Sequence, residues 1–293
     1  MRTRIGGVFP PIPTIFTAAG DVDLAAIAAN VTRWMATGLA GVLALGSNGE
    51  AVALGDDESD RILGAVRDVV PPNRLLIAGT GRESTRATVE ACRRAARTGA
   101  DVVLVRPPAY FKAQMTAEAL TAHFRRVADE SPAPVQLYNL PATGVVLSWP
   151  VVQALAEHPN IVGIKETSVD LERLGQFASL GAGFRVLSGS APVFYPALMS
   201  GAVGGILAVA NVLPDQMVAV YDHVRAGRLE EALMLQRAVT PIAQLVTSTY
   251  GIAGLKYALD LRGYRGGPVR SPLLPLADRA KHDIAGALAP FGA

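Results

Sequence analysis

The sequence predicts a (β/α)8 TIM barrel that is followed by a C-terminal helical extension. Eight short apolar runs rich in Val, Ile and Leu alternate with segments of helical period along the 293 residues. Each run is continuously apolar, which is typical of parallel strands that are covered on both faces. Eight strand–helix units that close on themselves form such a barrel, and this length is ordinary for it.

The predicted strands lie in eight runs of sequence. These runs are residues 7–16, 42–47, 74–80, 101–107, 134–140, 161–167, 184–189 and 205–210. A doubly wound open sheet is the alternative fold, but it would usually show a G-x-G-x-x-G turn after its first strand, and the sequence has none there.

The segments between the runs have helical periodicity. Residues 23–37 repeat apolar side chains at helical spacing, and residues 84–98 have Ser84 as an N-cap and Gly99 just past the end. Another helix starts at Thr116, with its apolar stripe on Leu120, Phe124 and other residues.

The strand runs stop after about residue 225, and residues 229–248, 252–263 and 275–290 have helical patterns. We therefore expect a catalytic barrel over residues 1–225 and a helical extension over 226–293. The extension should pack on the barrel or on a neighbouring subunit, because no linker rich in Ser, Gly or charge precedes it.

Composition narrows the function classes. Half of the residues are hydrophobic and 18% are charged. The net charge is +2, and the basic residues are scattered along the chain without forming a tract. This pattern argues against nucleic acid or a membrane as a partner. The single cysteine, Cys92, permits no intrachain disulfide. Prolines at 10, 11 and 13 argue against a signal peptide, and no apolar run reaches the ~18 residues that span a bilayer, so we expect a cytoplasmic enzyme.

Reacting groups of such barrels lie at the carboxyl ends of the strands. The residues found there include hydroxyls, amides, two tyrosines and one lysine, at Ser47, Asn48, Gly49, Tyr110, Tyr138, Lys165, Thr167, Gly189, Ser190 and Asn211. No histidine is among them. The four histidines fall in predicted helices, where we expect solvated or capping side chains. The set therefore predicts neither a metal site nor a cofactor.

Lys165 ends an apolar strand, "IVGIKETS", and a lysine beside tyrosines suggests carbonyl chemistry. A neutral amine forms an iminium with a ketone, which accepts the electrons of a broken C–C bond. Lowering the lysine pKa from ~10.4 to near neutrality costs about 4 kcal/mol, which burial at an apolar strand end can supply. The alternatives are a lysine that reaches solvent or pairs with the adjacent Glu166, and a Tyr138 that is only a core residue.

At these residues the chain resembles the family of pyruvate-dependent Schiff-base enzymes that includes N-acetylneuraminate lyase and dihydrodipicolinate synthase. The matching motifs are "GSNGE", "YNLP", "GIKE" and "GAVGGILAVANV", over residues 5–280. The resemblance implies that Lys165 forms the Schiff base and Tyr138 moves protons. It implies a homotetramer, a dimer of dimers, in which Tyr110 enters a neighbouring site.

The same resemblance assigns the residues that bind the oxo acid. Ser47 and Asn48 occupy the positions that hold the pyruvoyl carboxylate, and the Gly49 amide lies nearby. The backbone carbonyl of Ile206 faces the pyruvyl group, while Gly189 and Ser190 line the mouth opposite. Thr167 follows the lysine and belongs to the same set. No cofactor is implied, and the partner is a small oxo acid, with pyruvate as product or co-substrate.

Two departures narrow the expected substrate. The synthases usually have two threonines at 47 and 48, and they read Y-N-x-P-x-R-T-G where this chain reads "YNLPATG" without the arginine. That loss removes a bidentate carboxylate clamp. The Ser-Asn pair and residues 74–90, 158–168 and 250–270 instead resemble 4-hydroxy-2-oxoglutarate aldolases. We therefore expect a carbon–carbon lyase that cleaves a 4-hydroxy-2-oxo acid to pyruvate and an aldehyde such as glyoxylate.

Three alternatives stay open. The first is the synthase that condenses pyruvate with aspartate semialdehyde, with a basic residue elsewhere replacing the lost arginine. The second is a 2-keto-3-deoxy sugar-acid aldolase or dehydratase that uses the same iminium. The third is a phosphate-handling or non-catalytic barrel, because "GAVGG" at 201–205 lies where many barrels bind phosphate.

Overall fold

The computed structural model describes residues 5–292, and it confirms the (β/α)8 barrel. The eight parallel strands are β1 Gly7–Phe9, β2 Gly41–Ala44, β3 Leu75–Gly79, β4 Val102–Val105, β5 Val135–Asn139, β6 Ile161–Glu166, β7 Arg185–Ser188 and β8 Gly204–Ile206. They pair in the order β1-β8-β7-β6-β5-β4-β3-β2. A bridge between Pro11 and Leu43 closes the ring between β1 and β2.

The eleven α-helices of the described residues surround and extend this barrel. They are α1 Leu24–Met35, α2 Asp56–Val69, α3 Thr85–Arg97, α4 Ala117–Glu130, α5 Trp149–Ala156, α6 Leu171–Ala178, α7 Phe194–Met199, α8 Pro214–Arg225, α9 Leu229–Gln244, α10 Gly251–Leu261 and α11 Asp278–Leu288. A π-helical turn, Leu245–Thr249, joins α9 to α10.

Local signals set several helix ends as expected. The Ser84 side chain accepts from Ala87 N at 3.1 Å and starts α3, and Thr116 accepts from Ala119 N at 3.2 Å and starts α4. Gly99 follows α3 with a φ of +95°, where a residue with a side chain would be strained.

The first and last predicted strands are shorter in the structure than in the sequence pattern. The run over residues 7–16 is a strand only from Gly7 to Phe9, because three prolines follow and cannot donate to a ladder. The run over 205–210 pairs over Gly204–Ile206 and then forms the 3₁₀ turn Ala208–Asn211.

Side chains alternate between two cores along the strands, with one interruption at the irregularity in β6, where Val162 faces inward and Ile164 faces outward. Those pointing into the barrel form a small cluster: Ile5, Phe9, Leu43, Ile77, Val102, Leu104, Tyr138, Val162, Leu187 and Ile206. Those pointing outward pack against the helices in a larger cluster. Side chains of the inward set that come last in their strands therefore face the mouth of the barrel, and this alternation positions the site.

The C-terminal helices pack on the barrel of the same chain. Gln236 of α9 accepts from Tyr195 N at 3.0 Å and donates to Ala191 O at 3.0 Å. Farther along, Asn30 of α1 exchanges two hydrogen bonds with the backbone of Arg265. The division of the chain into domains at residue 225 stays a prediction. Within residues 5–292 no helix is long and apolar enough to cross a lipid bilayer.

One histidine differs from the expectation of solvated side chains. His123 is buried in α4, and its Nδ1 lies 2.9 Å from Thr85 Oγ1. Burial lowers its pKa to about 4, so the ring stays neutral at ordinary pH. His123 is thus a core residue that joins α3 to α4.

Candidate active site

Lys165 and Tyr138 lie side by side at the mouth of the barrel. The register of β5 and β6 pairs them directly, and Lys165 Nζ lies 4.2 Å from the centre of the Tyr138 ring. Lys165 is 5% exposed and Tyr138 is 6% exposed, so the lysine does not reach into bulk solvent. The structure thus brings together the two residues on which the proposed chemistry depends.

The environment of Tyr138 changes its acidity. Burial on its own would raise the pKa of the phenol, but the positive charge of Lys165 and the nearby polar groups of Ser47 and Thr167 outweigh that effect. The net result is a pKa below the ordinary value. A phenol of this kind gives up and takes back a proton more readily than an isolated tyrosine.

Glu166 is not the partner of Lys165, although it is adjacent in sequence. Its side chain points to the opposite face of β6, where Oε2 accepts from Asn139 Nδ2 at 2.7 Å and Oε1 accepts from Ser168 N at 2.7 Å. Asn139 Oδ1 in turn accepts from Leu147 N at 2.9 Å. This buried network fixes the loops after β5 and β6, and it leaves the Lys165 ammonium without a carboxylate among the described ion pairs.

Gly189 gives Lys165 its space. A Cβ on Gly189 would lie 2.3 Å from Thr167 Oγ1 and 3.0 Å from Lys165 Cε, so no larger residue fits. The Gly189 amide donates to Glu166 O at 2.6 Å. Ser190 is half-buried beside it and bonds through its backbone to Ser188 Oγ. Gly189, a predicted site residue, therefore lies against the side chains of Lys165 and of Thr167, which is also a predicted site residue.

Ser47, Asn48 and Gly49 form a single 3₁₀ turn directly after β2. The Gly49 amide donates to Gly46 O at 3.0 Å, so it closes the turn, while Thr14 Oγ1 donates to Gly49 O at 2.7 Å. The amides of Ser47 and Asn48 donate to no acceptor in the part of the chain that the structure describes. Those two amides, at the start of the turn, are the ones available to a carboxylate.

A buried ion pair holds this turn from behind. Glu50 ends the turn in the left-handed region with a φ of +52°, and its Oε1 lies 2.6 Å from Lys256 Nζ of α10. Both side chains are almost fully buried, and Glu50 Oε2 accepts from Arg270 N at 2.8 Å. Burial lowers the pKa of Lys256, and Glu50 opposes that shift. No local sequence pattern predicts this pair, because its members are 206 positions apart.

A cavity of about 450 Å³ opens beside these residues. Its lining includes Ser47 and Tyr138, together with Tyr110, and it carries three charged side chains, Arg82, Glu83 and Arg106. Tyr110 is 80% exposed on the rim and stacks edge-on against the exposed Phe111. Arg106 was not among the predicted site residues. It could have been found, because it lies two positions after Leu104, whose side chain points into the barrel.

The remaining predicted position and the glycine-rich run lie in β8. Ile206 is its last residue and is buried in the inner cluster. A Cβ on Gly204 would lie 2.0 Å from Gly7 O, and one on Gly205 would lie 2.8 Å from Phe194 Cε2. Close packing of the strand therefore accounts for these two glycines without any phosphate. No group of three or more His, Cys, Asp or Glu positioned to hold a metal occurs among residues 5–292.

Comparison with known proteins agrees with this geometry. Residues 4–290 match the sequence model of the Dihydrodipicolinate synthetase family. A probable mitochondrial 4-hydroxy-2-oxoglutarate aldolase of Emericella nidulans is 37% identical, with 95% of this chain and 93% of that protein covered. A 4-hydroxy-tetrahydrodipicolinate synthase of an Exiguobacterium species is 34% identical, with 97% of each covered. A prophage protein of E. coli K12, solved with pyruvate, superimposes with a TM-score of 0.92 at 30% identity, covering 99% of each chain.

Proposed function

Because this chain belongs to the dihydrodipicolinate synthetase family, we propose that it is a Schiff-base lyase that cleaves 4-hydroxy-2-oxoglutarate to pyruvate and glyoxylate. The observation that carries the proposal is the buried Lys165 with its Nζ 4.2 Å from the Tyr138 ring. The Ser47-Asn48 pair and the absence of an arginine after "YNLP" favour this cleavage over the synthase reaction.

The first part of the reaction forms the iminium. Ser47 and Asn48 hold the C1 carboxylate through their available amides and side chains, which brings C2 to Lys165. Tyr138 in its ionised form takes a proton from the Lys165 ammonium, and the free amine adds to the C2 carbonyl. The carbinolamine then loses water as Tyr138 returns that proton to the departing hydroxyl group. The iminium nitrogen then carries the positive charge that draws electrons from the neighbouring bonds.

The second part breaks the carbon–carbon bond. Tyr138 removes the proton of the 4-hydroxyl group, the C3–C4 electrons move toward the iminium, and glyoxylate leaves. The remaining enamine takes a proton at C3, and water hydrolyses the imine to release pyruvate and the free lysine. The carbonyl of Ile206 and the residues Gly189, Ser190 and Thr167 enclose the pyruvyl group during these steps, while Gly49 shapes the turn.

A second candidate is the synthase reaction, in which the enamine attacks aspartate semialdehyde. It has support from relatives of that name, such as the Exiguobacterium protein at 34% identity. A substrate panel separates the two functions. We expect pyruvate release from 4-hydroxy-2-oxoglutarate with a kcat/KM at least tenfold above that for the synthase condensation. A reversed ratio would assign the chain to the synthases.

We also propose a homotetramer in the cytoplasm in which Tyr110 completes a neighbouring site. Support comes from the apolar rim, where Val52, Tyr110 and Phe111 are 88%, 80% and 64% exposed. Side chains of this size seldom stay uncovered together in a monomer. Light scattering should give four times the 30.6 kDa of one chain, and Phe111→Asp should lower that mass. A monomer in both cases would contradict the assembly.

A further inference from the structure

We propose that Arg106 binds the second carboxylate of the substrate and so selects five-carbon 2-oxo dicarboxylates over monocarboxylates of the same length. The proposal rests on the proposed function, since it places the substrate's 2-oxo group on Lys165. The arginine expected after β5 in the synthases is absent from "YNLPATG", so a cation for the far end of the substrate must come from elsewhere.

The strand register places Arg106 at the level of the reacting residues. Val105 of β4 pairs with Leu137 of β5, so one further step brings Arg106 opposite Tyr138, which in turn pairs with Lys165. The three residues thus occupy consecutive strands, and two strand spacings separate the outer two backbones by about 10 Å. The Arg106 side chain lines the same cavity as Ser47 and Tyr138, so a short dicarboxylate held at Lys165 can extend toward it.

Arg106 faces the mouth of the barrel. Val102 and Leu104 belong to the inner cluster, and Arg106 is the next position of the same alternation. Its side chain crosses Gly81, where a Cβ would lie 2.6 Å from Arg106 Cγ, and it lines the cavity with Ser47 and Tyr138. Because residue 81 has no side chain, the Arg106 side chain can pass over it along the lining of the cavity.

Glu83 orients the guanidinium without using all of it. Arg106 Nη1 lies 2.7 Å from Glu83 Oε1 and donates to Pro107 O at 3.1 Å. Within the described residues, Nε and Nη2 of Arg106 have no acceptor. A guanidinium carries five N–H donors in a planar fork, so these remaining donors can bind a carboxylate.

The charge of the cavity also favours an anion. The Glu83 carboxylate is compensated on its other side, because its Oε2 accepts from the amides of Ala109 at 2.8 Å and Tyr110 at 2.9 Å. Arg82, the second arginine of the lining, is turned toward Asp56 of α2 at 3.3 Å. Arg106 therefore keeps donors for an anion, while the Glu83 oxygens are already held by Arg106 and the two amides.

Borohydride trapping with a matched pair of oxo acids tests this assignment. 2-Oxoglutarate and 2-oxopentanoate have the same chain length, and they differ only in a terminal carboxylate or methyl group. Neither carries the 4-hydroxyl group, so neither is cleaved, and the concentration that gives half-maximal trapping reports binding and imine formation alone. Pyruvate serves as the third probe because it has no second carboxylate.

We expect the wild-type chain to trap 2-oxoglutarate at a concentration 10- to 100-fold lower than 2-oxopentanoate. Arg106→Gln should remove that preference while leaving the value for pyruvate within about threefold, and Arg106→Lys should keep part of it. The matched control is Arg82→Gln, which removes the other arginine of the cavity and should retain the preference.

The outcomes separate this inference from the function on which it depends. Failure of the wild-type chain to trap pyruvate would overturn the Schiff-base function itself. Trapping of pyruvate without a preference for 2-oxoglutarate would overturn the role of Arg106 alone. So would a preference that survives in Arg106→Gln, or an equal loss of trapping for all three acids in that variant.

Discussion

Lys165 and Tyr138 are paired residues of neighbouring strands, and the lysine Nζ lies 4.2 Å from the centre of the tyrosine ring. Both are buried, so water screens the interaction little, and the cation of one residue lowers the pKa of the other. In the proposed reaction Lys165 forms the imine and Tyr138 carries the protons, and the predictions below depend on this pairing.

Removal of the Tyr138 hydroxyl should slow catalysis much more than binding. For Tyr138→Phe we expect kcat for 4-hydroxy-2-oxoglutarate cleavage to fall by about 10²- to 10⁴-fold, because proton transfer loses its carrier. Pyruvate should still be trapped on Lys165, though more slowly. Tyr221→Phe is the matched control, since Tyr221 lines a separate cavity with Ile5 and Arg185. Equal kcat values for the two variants would contradict the role of Tyr138.

The acidity of Tyr138 gives a pH dependence of stability. Its pKa is lowered in the folded chain, while the unfolded chain holds the proton up to about pH 10. The folded state therefore gains stability as the pH rises from the folded pKa to about 10, and it loses this contribution as the pH falls through the folded pKa. In urea unfolding, the free energy of unfolding of the wild type should rise relative to that of Tyr138→Phe as the pH increases from the folded pKa of Tyr138 to about 10.

An ultraviolet titration of tyrosinate supplies the control for this prediction. Lys165→Met should raise the pKa of Tyr138, because the nearby positive charge is removed. Tyr250 and Tyr264, whose pKa values are raised, should titrate later than Tyr138. If the first tyrosine ionises at the same pH in the wild type and in Lys165→Met, the coupling between the two residues is contradicted.

Gly189 should tolerate no side chain. In Gly189→Ala the new Cβ would meet Lys165 Cε at 3.0 Å and Thr167 Oγ1 at 2.3 Å, so the amine must move. Displacement of a reacting group by about 1 Å costs on the order of 10²-fold in rate. A contact of 3.0 Å demands a smaller shift, so we expect kcat/KM to fall by about 3- to 10-fold. Gly64→Ala, at a helical position with open space, should leave activity unchanged. Full activity of Gly189→Ala would argue that Lys165 is not confined as described.

The Lys256–Glu50 pair should contribute to both stability and turn geometry. Lys256→Met leaves a buried carboxylate without its cation, and we expect a loss of about 3–5 kcal/mol in the free energy of unfolding, measured in urea. Arg86→Met breaks the exposed pair with Glu90 and should cost far less. The double variant Lys256→Met/Glu50→Gln should lose less than the sum of the single losses; strict additivity would show that the two residues do not interact.

The sequence contains enough to predict the barrel and the position of Lys165 at its mouth, because both depend on local pattern. Continuous apolar runs predict buried parallel strands, and the position of Lys165 at a strand end predicts a mouth residue. The same alternation explains what the sequence left open: Lys165 faces the mouth and Glu166 faces the helices, so their adjacency is not an ion pair. His123 was expected to be a solvated or capping side chain, but it is buried in the core, with its Nδ1 beside Thr85 of α3.

The residues that sequence reasoning missed depend on contacts between distant segments. Lys256 meets Glu50 because α10 packs behind the turn that follows β2, and the segment after α10 brings Arg270 N to the same carboxylate. The orientation of Arg106 depends on Gly81, which leaves space for its side chain, and on Glu83, which pairs with its guanidinium. Both residues belong to the loop after the neighbouring strand β3. No pattern of periodicity in one segment carries such information.

Borohydride reduction in the presence of pyruvate, followed by mass spectrometry of the peptides, shows whether Lys165 forms the imine. We predict one pyruvate-derived adduct on Lys165, lost in Lys165→Ala, with Lys256 unmodified because it is buried against Glu50. An adduct on another lysine, or no mass gain on the wild-type chain at saturating pyruvate, would contradict the account.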